Sequence, residues 1–239
     1  MTKFLKHFLI ILAFIPSLCF AVYDTLYLEL AKVAEESIHP INPITLDSNS
    51  DKIISDSLFI SEKVSLDKSN EQSESRKTLK KKIKYYLKRN KELLKKIDNG
   101  EIVIHDRDLK LDTRLDLTNN QRFLESSYDD FTENIVSKNI DYYLTNFNNE
   151  TVIISRTETN LSGVKTLEVD LVMSNPDNIL KNRLNLQGAV KRASIDNIRS
   201  IIRDLRTNSP TIQKIKAFII SPILESNYRR QGFETSFCL

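Results

Sequence analysis

Tryptophan is absent from this 239-residue chain, and glycine occurs four times, histidine three times and cysteine twice. Each scarcity narrows the functions open to it. Four glycines leave no Gly-rich loop whose bare backbone could cradle a phosphate. His7 lies near the start, so His39 and His105 are the only imidazoles left for chemistry further along. The chain has no His-Glu-x-x-His pair and no Gly-x-Ser-x-Gly turn, the two patterns that set up zinc hydrolysis and an exposed serine nucleophile. Cys19 falls in a leading apolar stretch and Cys238 is one residue from the end. An internal disulfide is therefore not expected, and the fold must rest on its core. No cofactor and no metal site is expected.

The first 21 residues have the three parts of a secretory signal. Lys3, Lys6 and His7 form a basic start, and Phe8 to Phe20 is an uncharged apolar run. Cys19-Phe20-Ala21 then offers small residues to a signal peptidase. Pro16 breaks a helix before that site and helps present it extended. The other reading is an uncleaved anchor, although Phe8 to Val22 is 15 residues and a spanning helix needs roughly 20. Both place the remainder outside the cytoplasm, as a periplasmic, secreted or membrane-anchored envelope protein.

Without Lys3 and Lys6 the chain carries 33 basic and 32 acidic residues, so net charge says little about partners. Its distribution says more. Residues 22–75 hold 11 acids and 4 bases, 76–99 hold 11 bases and 2 acids, and 100–150 return to 11 acids and 5 bases.

The apolar pattern predicts a short amphipathic helix over 22–38, then a Ser/Asp/Asn-rich linker to residue 75 that buries too little to order itself. Leu58-Phe59-Ile60 is the one apolar island in that linker. Over 76–97, Leu79, Ile83, Tyr86, Asn90, Leu93 and Ile97 recur at steps of four and three, the spacing of a heptad seam. Asp98-Asn99-Gly100 stops this helix. Alternating Ile and Leu over 101–117 predict two short strands turning at His105 to Asp108. Thr118 to Gln121 reads as a capping box for a helix carrying Leu124, Tyr128, Phe131 and Ile135 and running toward Leu144. Residues 151–157 and 164–173 read as a hairpin, with Leu167, Val169, Leu171 and Met173 on one buried face. A β-α-β ending follows: strand 183–190, a helix from Ser194 with Ile195, Ile198, Ile202 and Leu205 on one stripe, and strand 212–221.

These readings sum to an α+β fold, a small mixed sheet with two or three packed helices, preceded by a basic amphipathic helix and a disordered linker. The expected organisation is a signal or anchor at 1–21, helix plus linker at 22–75 and basic helix at 76–99. An α+β domain at 101–222 and a tail at 223–239 complete it.

Three constellations could carry function. Lys80, Lys81, Lys84 and Lys88 on the basic helix could meet an anionic membrane surface or an acidic envelope protein; nucleic acid is disfavoured outside the cytoplasm. Arg199 and Arg203, one turn apart, could face an anionic surface or pair with Asp196. His105, Asp106, Asp108, Asp112 and Asp116, with Asp129 and Asp130, supply carboxylates for a cation or hydrolytic site. The bland alternative in each case is a solvated charged surface.

Leu184-Asn185-Leu186-Gln187-Gly188, followed by the Ile-rich helix and a last strand, is similar in apolar pattern to periplasmic ferredoxin-like modules. That resemblance implies a membrane-anchored scaffold of the kind found in pilus and secretion machines. Together these features lead to the expectation of a non-enzymatic envelope protein that binds another protein. A cell-wall or other polymer hydrolase using paired carboxylates, and an anionic-membrane binder, are the alternatives.

Overall fold

The computed structural model describes residues 24–66, 73–132, 139–219 and 222–235. They form an α+β fold with ten strands and five α-helices among the described residues. The strands are β1 (Asp24–Glu29), β2 (Ile44–Leu46), β3 (Lys52–Ile54), β4 (Ile60–Ser65), β5 (Ile140–Phe147), β6 (Glu150–Asn160), β7 (Thr166–Ser174), β8 (Val190–Lys191), β9 (Lys214–Ile219) and β10 (Glu234–Thr235). The helices are α1 (Glu74–Asp98), α2 (Arg107–Thr132), α3 (Pro176–Arg183), α4 (Ala193–Asn208) and α5 (Pro222–Arg229). Seven strands form one sheet in the order β10-β1-β9-β7-β6-β5-β4, and β3-β2-β8 form a second.

In the large sheet β7 and β9 are parallel, joined by a crossover through α3, β8 and α4. The other neighbours are antiparallel. Helices cover both faces. The α1–α2 hairpin buries Leu79, Ile83, Tyr86, Leu124 and Phe131 against Ile140, Tyr142, Leu144 and Ile154. On the opposite face α4 buries Ile198, Ile201, Ile202 and Leu205 against Leu26, Leu28, Tyr143, Leu167 and Ile215. The two-residue period of β5 decides this split, since Tyr142 and Tyr143 point to opposite sides.

The basic helix is as expected. Ser73 accepts a hydrogen bond from the Arg76 amide at 3.2 Å, the seam is buried, and Gly100 at φ +75° lets the chain turn away. The β6–β7 hairpin is present, with a correction to its faces. Arg156 pairs with Leu171 and Thr157 with Val169, so Asp170 is an extra residue in a β-bulge. A bulge reverses the alternation beyond it. Leu167 and Val169 therefore pack under α4, while Leu171 and Met173 pack under the α1–α2 hairpin.

Six further expectations are overturned. Residues 24–29 are a strand between β10 and β9, because Leu26, Leu28 and Leu30 are buried at period two; a reading at helical period picked out Leu26, Leu30 and Val33 instead. The supposed disordered linker holds β2, β3 and β4, and Phe59 packs edge-on against Phe147 at 5.9 Å. These strands are polar because β3 and β4 lie at sheet edges with wet faces. Residues 107–117 are helical and not stranded. Asp106, read as a turn residue, accepts the Leu109 amide at 2.8 Å and caps α2. The buried stripe of α2 runs Thr113, Leu117, Asn120, Leu124, Ser127, Phe131, and its polar members hid the helical period. Thr118 to Gln121 lie mid-helix, residues 140–144 belong to β5, and Ile135 lies outside the described residues.

Residues 183–190 end α3 and turn through Asn185 and Gly188, both at positive φ, instead of forming a strand. Asn175 caps α3 and Pro176 opens it. Beyond residue 222 the expected loose tail is α5 and β10, which place Tyr228 and Phe233 in the core, ring to ring at 4.9 Å.

Candidate functional site

With the buried seam of α1 taken as heptad positions a and d, the b and f positions between its acidic ends, Glu74 and Asp98, are Lys77, Lys81, Lys84, Lys88, Lys91 and Lys95. Every one is lysine and every one is exposed. The row spans about 27 Å of helix at ~1.5 Å per residue. Beside it lie Thr78, Tyr85 and Glu92, with the Tyr85 ring 58% exposed. Lys88 approaches Glu92 at 3.9 Å and Lys91 pairs with Glu125 of α2 at 3.1 Å. Lys77, Lys81, Lys84 and Lys95 make no ion pair among the described residues.

The arginines of α1 are used differently. Arg76 is buried, with its guanidinium 5.9 Å from the Phe131 ring. Arg89 holds Asp177 of α3 through Nε at 3.0 Å and a terminal nitrogen at 2.7 Å. That planar fork fixes one helix against another, whereas the lysines present mobile point charges to solvent. Lys80 and Lys82 turn inward. Lys80 donates to the Phe131 carbonyl at 3.1 Å, and Lys82 donates to the Thr151 hydroxyl, with burial pulling its pKa down. Of the four lysines singled out from sequence, Lys81, Lys84 and Lys88 thus belong to the row and Lys80 does not.

Arg199 and Arg203 lie on α4, across the sheet from the row, and form a clasp. Arg199 donates to Gln231 at 2.8 Å and to the His39 carbonyl at 3.0 Å. Arg203 donates to the Ile38 carbonyl at 2.5 Å. Arg206 reaches the Leu30 carbonyl at 3.2 Å, the Val33 carbonyl and the Glu35 carboxylate at 3.0 Å. Three arginines at i, i+4 and i+7 thereby tie down residues 30–39, while Asp196 accepts the Ile41 amide at 3.3 Å. Backbone carbonyls leave no trace in a sequence, so this role was not legible there.

The candidate acids do not converge. Asp106 is a helix cap, and Asp112 and Asp116 pair with Arg183 at 3.5 and 2.6 Å. His105, Asp108 and Asp129 are exposed, while Asp130 is buried. Among the described residues no group of three His, Cys, Asp or Glu is placed to hold a metal ion. A surface depression of about 630 Å³ lies by β1 and β10 between Lys32, Lys214, Arg230 and Glu234, and none of these acids lines it.

The strongest buried electrostatics lie under α2. Arg156 binds Asp130 at 2.7 Å and also Asp170, and the Tyr142 hydroxyl donates to Asp130 at 2.5 Å. Burial pushes the Asp170 carboxyl up to about 6, against the pull of Arg156. A second cluster joins Lys63 to Asp141 at 3.1 Å and Asp204 at 3.0 Å, with the Tyr143 hydroxyl on Asp204 at 2.5 Å. Both clusters cross-link elements of the sheet and its helices.

No family model matches the chain, no curated protein matches its sequence, and no solved structure matches its fold. The molecule is defined by its own architecture: an α+β protein with helices on both faces of a seven-stranded sheet.

Proposed function

We propose that this chain is an exported, non-enzymatic binding module that docks onto an acidic partner through the lysine row of α1. Export rests on the signal-like pattern of residues 1–21. The observation that carries the docking reading is that the six b and f positions from Lys77 to Lys95 are all exposed lysines, while Arg76 is buried and Arg89 is held by Asp177. A solvated helix face gains as much from mixed charge as from one sign, and i,i+4 acid–base pairs would stabilise it further. Like charges at that spacing cost stability instead, and Lys77–Lys81, Lys84–Lys88 and Lys91–Lys95 all stand four apart. An acidic partner relieves that repulsion and releases counterions. A hydrolase reading has less support, since the carboxylates that would serve it cap a helix, pair with arginine or stand exposed.

The test is retention on immobilised poly-L-glutamate across a salt series. Wild type is expected to bind at low salt and elute as salt screens the contact. The variant Lys81→Glu/Lys84→Glu/Lys88→Glu should fail to bind. A control of equal charge change, Lys32→Glu/Lys52→Glu/Arg230→Glu, alters exposed cations on elements other than the α1–α2 hairpin and should still bind. Equal loss in both would mean that net charge and not the row is responsible.

A further inference from the structure

We infer that the acidic partner is an anionic lipid bilayer, met by the lysine row together with an apolar tip of the α1–α2 hairpin. This rests on the docking reading above. The row is a line of six exposed lysines along one helix, and none of them lines the depressions beside β10 and α5, so what it offers is a line of charge. Lysine ammonium groups on flexible stems suit headgroups that move laterally, whereas a folded acidic protein fixes its carboxylates and favours the planar fork of arginine.

The hairpin tip adds a second feature. Val103, Leu111 and Leu115 are 63%, 62% and 56% exposed. Arg114 bridges to Asp98 at 2.8 Å, which sets the first turns of α2 beside the last turn of α1, at the Lys95 end of the row. Leu111 lies two heptads before Glu125, the residue that reaches Lys91, so it shares the side of α2 that adjoins the lysines. Basic side chains beside exposed Leu, Val and Tyr are the combination with which interfacial helices sit among headgroups. Neither poly-glutamate nor a water-facing acidic protein makes use of the apolar part. An apolar run at residues 8–22 in the same chain would deliver this face to a membrane if it stays attached.

The experiment is vesicle co-sedimentation of the full chain, comparing neutral phosphatidylcholine with phosphatidylcholine containing phosphatidylglycerol. The ratio of binding to the two is the readout, because residues 8–22 would act on both vesicles alike. Wild type is expected to favour anionic vesicles ~10-fold or more, as a few juxtamembrane lysines suffice for that. Lys81→Gln/Lys84→Gln/Lys88→Gln should bring the ratio near one with helicity unchanged by circular dichroism. Leu111→Ser/Leu115→Ser should leave poly-glutamate retention intact and reduce the vesicle binding that survives high salt. Retention on poly-glutamate with no preference for anionic vesicles would overturn the bilayer inference and leave the docking reading standing. Failure to bind either would overturn both.

Discussion

Replacing Asp170 by asparagine should make the protein relatively more stable at neutral pH, despite the loss of an ion pair. One guanidinium, that of Arg156, faces two carboxylates, so the site beneath α2 carries net negative charge. Asp130 takes the Nε contact and the Tyr142 hydroxyl, while Asp170 keeps one oxygen, Oδ1, buried without a hydrogen-bond partner among the described residues. Glu158, 3.7 Å from Arg156, adds a further negative charge at the rim. Burial thus raises the Asp170 carboxyl to about 6 from an ordinary 3.8. Between those values the folded state binds more protons than the unfolded chain, so this group's contribution falls as pH rises from 4 through 6. That rise corresponds to at most ~3 kcal/mol, and the quarter of the side chain that is exposed reduces this to roughly 1–2 kcal/mol. Asparagine cannot ionise. Urea unfolding of both proteins at pH 4 and pH 7.5 should show Asp170→Asn gaining about 1–2 kcal/mol on wild type over that interval. A difference that stays constant, or that moves toward wild type, would refute the argument that desolvation outweighs the Arg156 contact.

Asp204 should behave with the opposite sign. Burial alone would raise its pKa, but the Tyr143 hydroxyl, the Asn208 amide and Lys63 together hold it below the usual carboxylate value. Its stabilisation is present above pH 4 and lost as pH falls, so the deficit of Asp204→Asn in the same assay should shrink at low pH. Arg203→Ala/Arg206→Ala releases the carbonyls of Leu30, Val33 and Ile38; at about 1.5–3 kcal/mol per charged hydrogen bond, the segment should open and trypsin should cut sooner after Lys32. An unchanged cleavage rate would show that the clasp contributes little. Asn90→Leu should cost roughly 1–3 kcal/mol in urea unfolding, because Asn90 donates to the Leu117 carbonyl at 2.7 Å and accepts from Asn120 at 3.1 Å, both buried. A variant as stable as wild type would mean that leucine packing offsets the lost network.

The heptad seam of α1 was visible because six seam residues repeat at one period for about five turns, with a stop signal behind them. The same spacing, read on its outer positions, also contained the lysine row, and separating b and f from the rest would have excluded Lys80. The α2 helix was misread for the opposite reason. Its contact stripe includes Thr113, Asn120 and Ser127, while Leu111 and Leu115 face solvent, so apolar alternation suggested strands where none exist. The bulge at Asp170 was also hidden, since nothing in a run of alternating Leu and Val says where one residue will be skipped.

By itself the sequence determined local periodicities: the α1 seam, the β6–β7 hairpin, the α4 stripe and the charge blocks, each set by neighbours within a few turns. It also determined the α+β character that those periods imply. Only the tertiary structure decided that the polar stretch 40–65 forms strands. Edge strands draw their hydrogen bonds from partners, as β4 does from β5 about 80 residues later, and not from their own composition. In the same way it decided that Arg199 and Arg203 grip backbone and that Asp130 meets Arg156, because contacts across more than a hundred residues, or between a helix and the sheet beneath it, depend on where the chain returns and not on what lies beside them in sequence.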